Sequence, residues 1–233
     1  MDLKEEGVLG GAIERHWYYQ SKARALAAHL PKGEQLRVLD VGAGSGFFSR
    51  WLLERGFACE ATCVDTGYST DRDETVEGRP LAFRNRVESS NANLVLMMDV
   101  LEHVEDDIGL LSSYLDKVPR GTMVLITVPA FQFLWSSHDV FLEHYRRYTV
   151  ASLEKTVRAA GAVPARLHYY YGAIFPLVAA VRMMRKGNAA QSDMTNQTAQ
   201  VNAILRGICA IERPFMRANR LAGLSVFCAC HKR

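Results

Sequence analysis

Between an apolar run at 36–41 and an amphipathic stretch at 47–55 lies Asp40-Val41-Gly42-Ala43-Gly44-Ser45-Gly46, with glycine at alternate positions. Glycines spaced in this way let a backbone enter conformations closed to other residues and come close to a ligand. A helix that starts directly afterwards turns its unpaired N–H groups toward that ligand. The strand-like run 59–65 that follows completes a strand–loop–helix–strand unit, so the segment commits the chain to a parallel crossover. A dinucleotide fingerprint begun at Gly42 requires a third glycine at position 47, which is Phe47. A carboxylate at Asp40 would also repel a pyrophosphate, whereas it suits a ligand with positive charge.

The alternation continues along the chain. Residues 94–98 and 123–128 are apolar runs of strand length, as in strands buried on both faces. Residues 165–171 and 224–229 are further strands. Helices are expected at 13–30, 106–115 and 149–160, the last with Thr149 as N-cap and Gly161 beyond its end. The pattern predicts an α/β fold with a doubly wound, mostly parallel, seven-stranded sheet. The chain reads as a single domain over 1–233. It has an N-terminal helical cap at 1–33, a Rossmann-like core at 34–172 and 223–233, and a helical insertion or lid at 173–222 between the last two strands. Within the insertion Val201, Ile204, Ile208, Ile211 and Phe215 recur at helical spacing and form one apolar face.

The run Val38-Leu39-Asp40-Val41-Gly42-Ala43-Gly44-Ser45-Gly46 resembles the first motif of class I S-adenosylmethionine-dependent methyltransferases. Asp65 stands at the family's acidic position after the second strand, and Asp99-Val100-Leu101-Glu102-His103-Val104 is similar to a version of the fourth motif. The resemblance covers roughly residues 15–170 and the last strand. It implies S-adenosylmethionine as cofactor, held by Asp40, Gly42, Ala43, Gly44, Gly46, Asp65, Thr66, Asp99, Val100 and Leu101. Asp65 would take the ribose hydroxyls, since two hydroxyl donors suit a bidentate acceptor. The family's third strand, the seventh of the expected sheet, falls in 81–91 here, where Val87, or alternatively Glu88, would touch adenine. The family's N-terminal helix closes over the cofactor with an aromatic and a basic residue, which points to Tyr19 and Arg24.

Methyl transfer requires alignment of a nucleophile and, for a hydroxyl, removal of a proton. Histidine is the usual base near neutral pH. The candidates are His138, with Asp139 as the carboxylate that would orient it, and alternatively His144 or His103. His138, Asp139 and His144 belong to a segment that resembles a bacterial subset with a W-S-x-H-D…H-Y-R-R-Y-T pattern. Trp135, Asp139, Tyr145 and Arg146, with Arg147 beside it, are the acceptor-side candidates. Asp99-Val100-Leu101-Glu102 is not the Asp/Asn-Pro-Pro-aromatic sequence of amino-methylating DNA enzymes, and no nucleic-acid module is recognised. A small-molecule or lipid-like acceptor and an O-methyl product are therefore expected. The alternative is a non-catalytic module that binds the cofactor, a membrane or a partner on the same fold.

The net charge is only +3, yet from Arg182 onward nine basic residues face two acids, Asp193 and Glu212. Such asymmetry suggests peripheral contact with an anionic membrane surface. The most apolar stretch, 172–181, is about half the length of a membrane span. The N-terminus is acidic and lacks a secretory pattern. The five cysteines follow no metal spacing and read as reduced thiols of a cytoplasmic protein, so no metal is assigned. The oligomeric state, monomer or homodimer, is left open.

Overall fold

The computed structural model describes residues 10–184 and 198–233. Arg185, Lys186 and Asp193 of the basic tail and residues 1–9 of the cap lie outside the described residues. A short 3-10 turn, Gly10–Arg15, leads into α1 (Trp17–His29). The core then runs β1 (Leu36–Val41), α2 (Phe47–Glu54), β2 (Ala58–Val64), β3 (Arg72–Val76), β4 (Arg79–Arg84), β5 (Leu94–Met98), α3 (Asp107–Asp116) and β6 (Met123–Pro129). A short α4 (Ser137–Phe141) precedes α5 (Val150–Ala159) and β7 (Ala162–Tyr170). Helices α6 (Phe175–Met184) and α7 (Ala199–Glu212) come before β8 (Ser225–Lys232).

The strands form one sheet in the order β3-β4-β2-β1-β5-β6-β8-β7. Strands β4, β2, β1, β5 and β6 are parallel, and β8 runs antiparallel between β6 and β7. The sheet has eight strands rather than the expected seven. The additional one, β3, pairs antiparallel with β4 through the two-residue turn Glu77-Gly78, both at positive φ. Positive φ at both positions matches the twist of a tight hairpin. Its sequence Arg-Asp-Glu-Thr-Val lies on a solvated edge, where the apolar alternation of a half-buried strand is absent.

Strand β5 is buried throughout, as its uninterrupted apolar sequence requires. One side of the sheet packs on α1 and α2 through residues such as Tyr19, Phe48 and Leu52. The other packs on α3 and α5 through Leu111, Leu115, Leu153 and Val157. Thr149 caps α5 as its sequence predicts, accepting a hydrogen bond from the Ser152 N–H.

Helix α7 turns most of its apolar stripe outward. Val201, Ile204 and Ile211, with Phe215 beyond its end, are exposed, and the buried side carries Leu205, Ile208 and Cys209. Polar anchors set the rotation. Asn202 Oδ1 accepts the Trp17 N–H at 2.8 Å, and the Glu212 carboxylate accepts the N–H groups of Gly172 and Ala173 at 2.7 and 3.2 Å. An apolar stripe on this helix therefore faces solvent.

Candidate functional site

Gly42, Gly44 and Gly46 have φ of 63°, 55° and 74°, the left-handed region that disfavours other residues. Gly42 has a second constraint: a Cβ there would lie 2.8 Å from Val100 Cγ2. The loop is anchored to β2, because the Gly42 and Ala43 N–H groups donate to the Val64 carbonyl at 2.7 and 3.3 Å. Beneath it Asp40 is fully buried and accepts the Ser49 hydroxyl at 2.8 Å, which ties the end of β1 to α2. Burial pushes the Asp40 carboxyl up to about 6, with the Ser49 hydrogen bond opposing that shift.

Asp65 follows β2 and braces the loop. One carboxylate oxygen accepts the Gly44 N–H at 3.0 Å, and the other accepts Gly67 at 2.9 Å. Each oxygen retains a second lone pair for a hydroxyl donor. Tyr68 donates its hydroxyl to the Gly44 carbonyl. A cleft of about 650 Å³ reaches Gly44 and Ser45 from the side of α2.

Asp99 directly follows β5 with φ of 57°, a strained conformation for a residue that is not glycine. Its carboxylate accepts Thr127 Oγ1 at 2.9 Å and the Tyr18 hydroxyl at 3.1 Å. The ammonium of Lys22, whose side chain is fully buried, also contacts Asp99 and Tyr18. Burial raises the Asp99 carboxyl, but the Lys22 charge and hydrogen bonds outweigh it and hold the group below its ordinary range.

Further along, the Tyr145 N–H donates to the Glu102 carbonyl at 2.7 Å and brings the segment after α4 against the end of β5. This juxtaposes Glu102, His103 and His144, whose potential ligand atoms lie within 4.8 Å of one another. The two imidazoles meet edge to face, with centroids 4.6 Å apart. His144 Nδ1 is 2.9 Å from Asp139, and His103 Nδ1 is 3.0 Å from the Leu142 carbonyl. Asp139 is also clasped by Arg147 at 2.7 and 2.9 Å. Burial acts to raise the Asp139 carboxyl, yet the His144 and Arg147 hydrogen bonds bring it well below the ordinary range. Both carboxylate oxygens of Glu102 are buried without a hydrogen-bond partner. Burial, then repulsion by Asp99, pushes that carboxyl well above its usual value.

The remaining sequence-derived residues divide as follows. On α1, Tyr18 and Lys22 reach the carboxyl edge of the sheet, not Tyr19 and Arg24. Tyr19 is buried in the core against Phe47 and Phe48, so its ring is committed to packing. Arg24 is partly buried on another face of the helix, where burial and then Arg213, Arg206 and Arg55 lower its pKa. The four-residue spacing from Tyr18 to Lys22 could have indicated their shared face. His138 is buried in α4, and Asp139 orients His144 instead. Arg146 is tied to the carbonyls of Val104 and Glu105 and to Asp107, which leaves it bracing the loop rather than presented to an acceptor. Trp135 is half-buried and Tyr145 exposed. Val87 packs against the second core, and its carbonyl accepts Lys117 Nζ at 2.7 Å, while Glu88 is exposed beside Arg86. Thr66 is exposed, and its carbonyl accepts Asn85 Nδ2.

A glycine loop at the carboxyl edge of a parallel sheet, flanked by Asp65 and Asp99, defines a Rossmann-like site for a nucleoside-bearing cofactor. Residues 14–165 match the methyltransferase-domain family, and the chain belongs to that family. It is a methyltransferase with S-adenosylmethionine as cofactor. No curated protein matches the sequence at a significant level. Among solved structures, it is similar to a chain from the complex of the Haloferax volcanii Trm112 methyltransferase activator with a methyltransferase. That match has 18% identity and a TM-score of 0.57, and covers 95% of this chain and 91% of that one. An S-adenosylmethionine-dependent methyltransferase from Archaeoglobus fulgidus is 16% identical, with TM-score 0.55 and coverage of 99% and 98%. Another from Mesorhizobium loti is 16% identical, with TM-score 0.53 and coverage of 91% and 98%. At these identities the neighbours establish the fold.

Proposed function

We propose that this enzyme transfers the methyl group of S-adenosylmethionine to a hydroxyl oxygen of a small apolar or lipid-linked acceptor. The observation that carries the reading is the Lys22–Asp99 pair beside the glycine loop. Asp99, which keeps part of its side chain exposed, would take the methionine α-ammonium, and the fully buried Lys22 would hold the Asp99 carboxylate ionised and in place. Backbone groups of Gly42, Ala43, Gly44 and Gly46 line the cofactor, with Asp40 supporting them through Ser49. Asp65 and Thr66 serve the ribose, and Val87, Val100 and Leu101 flank the adenine. The acceptor hydroxyl lies against His144 and His103, with Trp135 and Tyr145 at the rim. Support for a hydroxyl acceptor comes from the Asp139–His144 contact, which fixes an imidazole as deprotonation chemistry requires.

A lipid-linked acceptor and peripheral membrane contact are favoured by the exposed apolar stripe of α7. Leu177, Met184 and Leu221 are also exposed, and Arg206, Arg213, Arg217 and Arg220 lie in the same region. No described helix is long and apolar enough to cross a membrane. In the test, radiolabelled methyl transfer is measured into hydroxyl, amine and thiol acceptors with and without lipid tails, alongside cofactor titration of Lys22→Met. The reading expects O-methyl product, at least ~10-fold weaker cofactor binding in the variant and co-sedimentation with anionic but not neutral vesicles. Unchanged affinity in Lys22→Met, or methyl found only on nitrogen, carbon or sulfur, would sink it.

A further inference from the structure

We infer that Glu102, His103 and His144 form a binding site for one divalent transition-metal ion of the zinc or iron(II) class. Two imidazoles and a carboxylate, with donor atoms within 4.8 Å of one another, supply the ligand types such ions take. Magnesium and calcium prefer all-oxygen shells and suit this set poorly.

The strongest support is Glu102. Its side chain is buried, and neither oxygen has a hydrogen-bond partner. An unpaired buried carboxylate is costly unless a cation or proton neutralises it. The surroundings of His144 add a second line of support. Its Nδ1 faces Asp139, itself locked by Arg147, and this leaves the other ring nitrogen to bind a metal. A carboxylate behind a ligating imidazole is the usual outer shell of such sites, fixing tautomer and ring orientation. His103 Nδ1 is similarly engaged by the Leu142 carbonyl.

Three protein donors leave coordination positions open, as in catalytic rather than structural sites. The role assigned to the ion rests on the hydroxyl-acceptor reading above; its binding does not. The acceptor hydroxyl would occupy an open position and lose its proton to solvent water, since a bound cation lowers the pKa of a coordinated hydroxyl. An oxygen electron pair then forms the O–C bond while the C–S bond breaks, and the sulfur keeps that pair as S-adenosylhomocysteine departs. With the ion bound, His144 serves as a ligand held in place by Asp139 and gives up the role of base, the acceptor proton leaving to solvent instead.

The test uses tag-free full-length protein stripped with chelator and titrated with Co²⁺, followed by its visible absorption, and with Zn²⁺ against a chromophoric chelator. S-adenosylmethionine titration runs in parallel as the check on folding. Wild type should bind one equivalent of either ion. His144→Ala and Glu102→Gln should bind at least ~10-fold more weakly, a loss typical of perturbing such shells. Glu102→Gln keeps the side-chain shape and removes an unpaired buried charge, so it should fold and bind cofactor even if His144→Ala does not. Cofactor-competent wild type that takes up no stoichiometric ion would overturn the proposal. Equal metal affinity in wild type and Glu102→Gln would overturn it as well. Methyl transfer at full rate in chelator-stripped enzyme would overturn the role given to the ion.

Discussion

Replacing Gly42 by alanine tests whether the glycine loop is dictated by backbone geometry and by its fit against the fourth motif. Two penalties apply. Alanine at φ of 63° costs about 1–2 kcal/mol. Its Cβ would also meet Val100 Cγ2 at 2.8 Å, so the valine must shift, and overpacking of this kind costs about 1–3 kcal/mol. A stiffer unfolded chain returns about 0.4–1 kcal/mol. The net loss is therefore about 1–4.6 kcal/mol, or roughly 2–18 °C in Tm for a chain of this size. The second penalty, unlike the first, belongs to the pair. Val100→Ala should make room for the new methyl, so the double variant should recover about 1–3 kcal/mol relative to the sum of the singles while the backbone penalty persists. Urea denaturation of the two single variants and the double variant measures the term directly. Strict additivity, or a Gly42→Ala protein as stable as wild type, would refute the assigned contact between the loop and Val100.

Three further outcomes follow from the same geometry. Asp65→Ala leaves the Gly44 and Gly67 N–H groups without acceptors and removes the proposed ribose partner, so cofactor affinity should fall by roughly 10–100-fold in calorimetric titration; unchanged affinity would remove Asp65 from the site. Arg147→Met leaves the buried Asp139 carboxylate without its guanidinium partner, held only by His144 and Ser136, and should cost about 3 kcal/mol in urea denaturation, with a loss below about 1 kcal/mol contradicting the buried-pair reading. Stability should also decline in mild acid because of the His29–His168 contact of 2.9 Å. Burial, with neighbouring Arg166 and Arg217, lowers His29 to about 3 and His168 to about 4, from an ordinary 6.5. The unfolded chain thus takes up protons below pH 6.5 while the folded one does not until about pH 4, so stability is lost as pH falls through that window. Fully buried His168 alone should contribute about 2 kcal/mol of that loss between pH 7 and pH 5. Denaturation series at both pH values check this, and His168→Phe should flatten the dependence.

What could be read from the sequence was what local chemistry controls. The glycine loop was legible because positive φ at Gly42, Gly44 and Gly46 leaves a direct mark on residue choice. Strand β5 was legible because burial on both faces removes every polar residue from it. Strand β3 left no such mark, since an edge strand in water has no apolar face to display. Helix α7 shows why an apolar stripe identifies a helix without saying what it faces. Asn202 and Glu212 hold the other side to the protein by hydrogen bonds, which no periodicity reveals. The same reason governs the site. Glu102 and His103 are adjacent in sequence, but His144 joins them only because the Tyr145 N–H finds the Glu102 carbonyl. Asp139 could be recognised as an orienting carboxylate, yet its choice of His144 over the neighbouring His138 depends on how α4 ends. A strand-and-loop motif is thus written where it occurs, whereas a constellation of side chains is decided by the backbone contacts that bring distant segments together.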